Sequence, residues 1–398
     1  MMELYLQCGN GFMSLAKQLN DALRGTTYIL SPRDLSENSQ ISFAKQIEKS
    51  GCHVLLDPQL YAPRSDKSNF QTYGYWPKDC QTGDGGAILN LIDQLGELNV
   101  IMGARGYILP AYRINHIPRN VDDKSVQLLR IVAEKARKFN MPLYTTLCLE
   151  QNVLLDEVQV DRLIGFAEGW SSDGVYLVAE HPDSDYFVDN PIWMFQLMRL
   201  CAALRLQGKR VILGYANHQM LCMVCTGIEA IATGNWMNTR SFTIDKFKSD
   251  TGDIKRHKLW YYAPSTLTEY SIPYLDVAYT RKVLQYIDCR MLVPDSPAAK
   301  IVSGNVRPSS IDFRQPDSFV HYLLALNKQL AMADADGTYQ GRYKHQLEML
   351  ESAGKRLALM AKYRINGQNR DFGDMIKVNE TALNMFNTEL GMRMSMLQ

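Results

Sequence analysis

The sequence predicts an α/β protein built as a (β/α)8 TIM barrel with a C-terminal helical appendage. Short β-rich runs recur along the chain, and each is followed by a helix-length amphipathic segment, the pattern of units that feed a parallel sheet. The 398 residues leave room for a barrel of roughly 250 residues and one appendage. No Pro/Gly/Ser-rich linker or low-complexity tract divides the chain.

The β-rich runs fall at 4–7, 27–30, 53–56, 100–103, 143–147, 174–178, 210–214 and 229–232. Eight alternations fit a closed barrel better than an open doubly wound sheet. Helical periodicity occupies 13–23, 42–50, 125–139, 158–169, 191–206 and 219–226. The eighth barrel helix is expected within 274–287, after which Pro294 and Pro297 mark a boundary. The expected division is therefore a barrel over 1–292 and a helical region over 293–398, where Val320, Leu323, Leu324 and Leu330 share a stripe. Two connections are too long for ordinary βα loops, 57–85 and 233–264, and both leave the barrel face on which sites are built.

Composition narrows the function classes. A net charge of +1 gives no global attraction to nucleic acid, so any polyanion contact needs a local patch. No apolar run reaches the roughly 20 residues of a membrane span, and no signal-peptide pattern opens the chain, so a cytoplasmic, membrane-free protein is expected. Among the eight cysteines, Cys8, Cys52, Cys148 and Cys201 sit in apolar segments and read as small buried hydrophobes. Only Cys222 and Cys225 are closely spaced, and no second pair or nearby histidine completes a zinc set. HExxH, Walker, GxSxG and GxGxxG patterns are all missing, so neither a metal nor a cofactor is expected.

Polar residues at the C-terminal ends of barrel strands point into the mouth, so position adds information to residue type. This rule selects Asn10, Arg33 with Asp34, Asp57, Arg105, Glu150, Glu180 with His181, Asn217 with His218, and Asn235 through Arg240. Asp57 is the sharpest, because it terminates the apolar run HVLLD and is held extended by Pro58. A carboxylate there can serve as a general base or stabilise positive charge on a sugar, and it can also simply cap the next turn.

Two stretches resemble a known family. LLDPQLY (55–61) is similar to the segment of tRNA-guanine transglycosylases in which a strand ends in Asp-Ser-Gly before an aromatic residue. VILGYANHQMLCMVCTGIEAIATGNWMNTRSFT (211–243) resembles that family's Leu-Met-Gly-Val-Gly strand, its Gly-Ile/Val-Asp strand and its closing Pro-Thr-Arg. Order and spacing agree over most of the first 250 residues. The family's covalent aspartate corresponds to Ala232 here, its CxCxxC zinc cluster is missing, and Pro58 and Gln59 replace the Ser-Gly. Only the aspartate corresponding to Asp57 remains.

The resemblance thus implies water as the acceptor: a DNA glycosylase that hydrolyses the N-glycosidic bond of a modified base. Family relatives linked to DNA modification and phage defence suggest a hypermodified cytosine in phage DNA and a role in antiviral defence. Asp57 would act at the sugar, with Glu150, Glu180 or Asn10 holding the base. The implied partner is double-stranded DNA with modified bases, and a homo-oligomer is compatible with the sequence. Base flipping needs stacking and phosphate contacts, for which Tyr61, Tyr73, Tyr75 and Trp76 and then Lys246, Lys248, Lys255, Arg256 and Lys258 are the candidates. The competing reading folds those aromatics onto the barrel and leaves the cations as a solvated face. Two further alternatives are base exchange on tRNA or DNA, with Glu229 or Asp245 replacing the lost nucleophile, and a non-catalytic nucleic-acid-binding barrel.

Overall fold

The computed structural model describes residues 1–62, 68–77, 85–247 and 258–397, apart from the side chains at 85–87, 125 and 246. Nine parallel strands form the central sheet: β1 (Glu3–Gln7), β2 (Thr27–Leu30), β3 (His53–Leu56), β4 (Tyr107–Ile108), β5 (Arg113–Ile114), β6 (Leu143–Leu149), β7 (Gly174–Ala179), β8 (Arg210–Leu213) and β9 (Ala230–Thr233). Their order is β3-β2-β1-β9-β8-β7-β6-β4, with β5 pairing farther along β6. Because β4 and β5 both pair with β6, they are one stave broken around Pro110, and the sheet has eight staves. No ladder joins β3 to that stave. Two backbone bonds span the seam instead, Arg105 N to Val54 O at 2.9 Å and Arg113 N to Tyr61 O at 3.2 Å.

Side-chain alternation along the strands sorts the core into two parts. Tyr5, Leu55, Ile108, Tyr144, Tyr176, Ile212, Ala230 and Ala232 face inward and fill the barrel. Their neighbours Leu4, Leu6, Leu56, Leu177 and Leu213 face the helices. The interior tyrosines need small partners: a Cβ on Gly174 would lie 2.7 Å from the Tyr144 ring, and one on Gly214 would lie 2.6 Å from the Tyr176 hydroxyl oxygen.

The helices are α1 (Met13–Ala22), α2 (Glu37–Lys49), α3 (Gly85–Met102), α4 (Lys124–Ala136), α5 (Glu157–Ala167), α6 (Pro191–Leu206), α7 (Ile272–Thr280), α8 (Gln315–Ala333), α9 (Tyr339–Lys362) and α10 (Gly373–Ser395). Three sequence expectations are corrected here. The run at 100–103 is the last turn of α3, where Met102 is buried while Val100 and Ile101 are half exposed. Gly103 then ends the helix in a left-handed conformation, φ 66°. The eighth barrel helix is α8, which packs on β1 and α1; α7 lies against an antiparallel hairpin. That hairpin, β10 (Trp260–Ala263) and β11 (Thr268–Ser271), replaces the last part of the expected long loop.

After β8 the chain forms a 3-10 helix, His218–Thr226, in which all nine residues are buried. Asn217 caps it, and α9 and α10 cover it. The C-terminal helices therefore complete the outer layer on that side of the barrel. No helix among the described residues is long and apolar enough to cross a membrane.

Candidate active site

Residues with the inward parity of each strand continue past its end into the mouth, which brings Gln7, Asp57, Glu150 and Glu180 inward. Asp57 extends β3 by one residue, its N–H donating to Leu30 O at 2.8 Å. Its carboxylate is fully buried and receives four donors. Oδ1 accepts from Tyr61 OH at 2.7 Å and from Gln59 N at 3.0 Å; Oδ2 accepts from Tyr215 OH at 2.9 Å and Tyr176 OH at 3.2 Å. The Gln59 bond closes an Asx turn, so Asp57 also does the turn-holding work open to it in the sequence. Burial pushes the Asp57 carboxyl above the usual carboxylate range, and these four bonds pull it back only in part.

Two of the residues holding Asp57 are strained. Gln59 has φ 52° and Tyr215 has φ 54°, left-handed values that cost a non-glycine residue roughly 1–2 kcal/mol. Gln59 Nε2 donates to Tyr215 OH at 2.8 Å, and Tyr176 OH also reaches Gln7 Oε1 at 3.1 Å. Gln7 Nε2 and Gln59 Oε1, both buried, have no partner among the described residues. Left-handed backbone and unpaired buried amides thus meet around this one carboxylate.

In this conformation the site is roofed. Tyr61 packs edge-on against Phe242 (5.4 Å between centroids) and Phe247 (5.7 Å), and Tyr215 against Phe242 (5.3 Å). The strip carrying those phenylalanines is fastened to the end of β7, with His181 N donating to Phe242 O at 3.1 Å and Ile244 N to Glu180 Oε1 at 3.1 Å. Glu150 and Glu180 share Arg113, at 2.9 and 3.3 Å, a cation that the misplaced fourth strand hid from the sequence reading.

Beside the roof lies an open cleft of about 680 Å³ at the ends of β1, β2 and β9. It gathers residues selected from the sequence: Asn10, Arg33, Asp34, Asn235 with its neighbours up to Asn238, Arg240 and Lys258. Its remaining charges, Glu269 and Arg370, were missed, since Glu269 sits on the unexpected hairpin and Arg370 on the loop between α9 and α10. Glu269 Oε2 binds Arg370 at 2.6 Å and Arg240 at 3.3 Å, while Oε1 accepts from Tyr186 OH at 2.9 Å. Although burial opposes ionisation, Arg370 and then Arg240 hold the Glu269 carboxyl down at about 2.

Other selected residues lie elsewhere. Arg105 precedes its strand instead of following one, so it sits on the opposite, N-terminal face, donating to Thr27 Oγ1 at 2.9 Å. Glu229 is on that face too, gripped by Arg210 at 2.7 and 2.8 Å, and cannot stand in for a nucleophile in the mouth. Ala232 is buried in the barrel interior. His218 is sealed among Phe187, Tyr262, Tyr322 and Phe372, where burial lowers its pKa to about 3 and keeps it neutral. Tyr73, Tyr75 and Trp76 are buried: Tyr73 OH donates to Leu35 O at 2.8 Å, and Trp76 stacks on Phe70 at 4.1 Å. These rings fold their loop onto the barrel and offer no face to a base. Lys248, Lys255, Arg256 and the Lys246 side chain lie outside the described residues.

No protein-family model matches the chain, and no curated protein matches it. Among solved structures, it is similar to a xylose isomerase domain protein from Planctomyces limnophilus at 11% identity and TM-score 0.36, covering 58% of this chain and 89% of that one. The C-terminal domain of ChiA from Legionella pneumophila gives 14% and 0.34, over 54% and 77%. The HpcH/HpaI aldolase from Desulfitobacterium hafniense DCB-2 gives 12% and 0.32, over 58% and 86%. Values this small carry no inference about activity, and the barrel assignment stands on the strand order.

Proposed function

We propose that this chain is a DNA glycosylase that hydrolyses the N-glycosidic bond of a modified base, with Asp57 as its catalytic carboxylate. The observation that carries the reading is the cage around Asp57: four donors, two left-handed residues and two unpaired amides at the C-terminal end of a barrel strand. A carboxyl whose proton affinity is raised by burial is better suited than an ordinary one to take up a proton and pass it on. Water adds to C1′ as the bond to the base nitrogen breaks. One water hydrogen stays on the new hydroxyl, and the other passes through Asp57 to the departing base. The ionised carboxylate also stabilises the positive charge that builds on the sugar. With Ala232 where the transglycosylase-like alignment expects a nucleophile, water is the acceptor favoured here. Reaching Asp57 requires the strip at 242–247 to part from Tyr61.

The test is incubation with DNAs carrying modified and unmodified bases. Free base and alkali-labile abasic sites are expected from a modified substrate, with a loss of roughly 10²–10⁴-fold in Asp57→Ala. Intact DNA across the panel, or full activity in Asp57→Ala, sinks the reading. The enclosure of Asp57 favours one second reading, a barrel that binds nucleic acid without chemistry. It predicts binding that survives Asp57→Ala and no product from any substrate.

A further inference from the structure

The cleft beside the roof has two chemically distinct sides. On one, Arg33 meets no carboxylate among the described residues, and its guanidinium lies 5.7 Å from the centre of the Phe247 ring. Lys258 is exposed and, among the described residues, its one hydrogen bond goes to Gln368 Oε1, at 3.4 Å. Arg370 lies over the Trp260 ring at 4.3 Å and uses Nη1 on Glu269, while its buried Nε has no partner among the described residues. Arg240 is not available in the same way. Its Nε donates to Gly234 O at 2.8 Å and its guanidinium sits 3.5 Å above Tyr322.

On the other side, Asn235 is 2% exposed and its Nδ2 donates to Asn10 O at 2.9 Å, which leaves Oδ1 an acceptor with no donor. Asn238 Oδ1 is unpaired as well. A group that satisfies both sides carries negative charge at one end and hydrogen-bond donors at the other. Forked guanidiniums match the oxygen geometry of phosphoryl groups better than ammonium does, and two of the three cations are arginine.

We infer that this cleft binds a phosphoryl group borne on a sugar or nucleoside, with Arg33, Arg370 and Lys258 on the phosphoryl oxygens and Asn235 and Asn238 accepting from hydroxyl or amino groups. The phosphoryl group belongs either to a nucleic-acid strand or to a free nucleotide. The first source rests on the proposed glycosylase; the second does not.

Binding of inorganic phosphate, a deoxynucleoside 5′-monophosphate and a short oligonucleotide is measured for the wild type, Arg33→Gln, Lys258→Gln and Arg370→Lys, with base release followed in parallel. Arg370→Lys keeps a charge beside Glu269 and so protects the fold, while the first two remove side chains that make no ion pair among the described residues. Each variant is expected to bind roughly tenfold more weakly, and Arg33→Gln and Lys258→Gln, which each remove a charge, to make the oligonucleotide's salt dependence shallower by about one ion. A monophosphate held as tightly as the oligonucleotide identifies a free nucleotide, and preference for the oligonucleotide identifies a strand. Wild-type protein that binds but releases no base upholds the cleft and removes the glycosylase. Failure of all three probes to bind, or unchanged binding in both Arg33→Gln and Lys258→Gln, overturns the inference.

Discussion

Gln59 and Tyr215, the two left-handed residues beside Asp57, are hydrogen-bonded to each other, Gln59 Nε2 donating to Tyr215 OH at 2.8 Å. Each also holds one carboxylate oxygen, so β3 and β8 are tied together across the barrel through the group between them. Tyr215→Phe removes both hydroxyl contacts and leaves Gln59 Nε2 buried without an acceptor, at a cost of about 1–3 kcal/mol. Gln59→Gly keeps the backbone donor to Asp57 and relieves its own strain, so its loss of stability is smaller. Urea unfolding of the two variants checks the order, and a larger loss in Gln59→Gly contradicts it.

The Asp57 carboxyl is raised by burial relative to the unfolded chain, which fixes the sign of its pH effect. Its contribution favours the folded state below the unfolded value of 3.8 and is lost as pH rises through the higher folded value, so ionised Asp57 is a liability near neutrality. Asn at this position still accepts from Tyr61 and Gln59, Tyr176 can turn its hydroxyl to Gln7 Oε1, and a flip of the Gln59 amide brings its unpaired Oε1 round to accept from Tyr215 OH. Asp57→Asn is therefore expected to be more stable than the wild type by about 1 kcal/mol at pH 7, with the gain shrinking toward pH 4 and base release abolished. Thermal melts across that range settle the sign.

The barrel was legible because short β-rich runs recur with helix-length amphipathic segments between them, and because Asp57 closes an apolar run. The fourth stave was not. Tyr107–Ile108 and Arg113–Ile114 are only two residues each, and the VIM run at 100–102 competed with them, although Gly103 and the buried Ile92, Leu95 and Met102 spell a helix end. That one slip placed Arg105 on the wrong face and concealed Arg113. The cleft was half legible: Arg33, Asn235 and Arg240 follow strand ends, whereas Glu269 and Arg370 come from a hairpin and an interhelical loop whose position only tertiary packing decides.

Glu269 is the internal counter-charge of the cleft, buried between Arg240 and Arg370. Its folded pKa of about 2 is below the ordinary 4.5, so the pairing stabilises the fold above about pH 4.5 and the contribution is lost as pH falls through about 2. Glu269→Gln leaves the Arg240 and Arg370 guanidiniums facing each other with no carboxylate between them. A loss of about 3–5 kcal/mol at neutral pH is expected, together with a flatter stability profile between pH 4.5 and 2. A wild-type acid profile in this variant would show that the network contributes nothing to folding.

The 3-10 helix His218–Thr226 gives the strongest reason to treat the C-terminal helices as part of the barrel. It contains Met220, Leu221, Met223 and Val224, all buried, and α9 and α10 lie over it. Their loss uncovers these side chains, each contributing roughly 1.5–3 kcal/mol when fully buried. The sum is comparable to the whole stability of a typical domain, about 5–15 kcal/mol. Truncation after Ala333 also removes Asp334, which accepts from Met2 N at 3.1 Å and fastens β1 at its start. The shortened chain is expected to lose its near-UV circular dichroism and its cooperative melt. A truncated protein that keeps both is a self-sufficient barrel, and α9 and α10 are then an appendage as the sequence alone suggested.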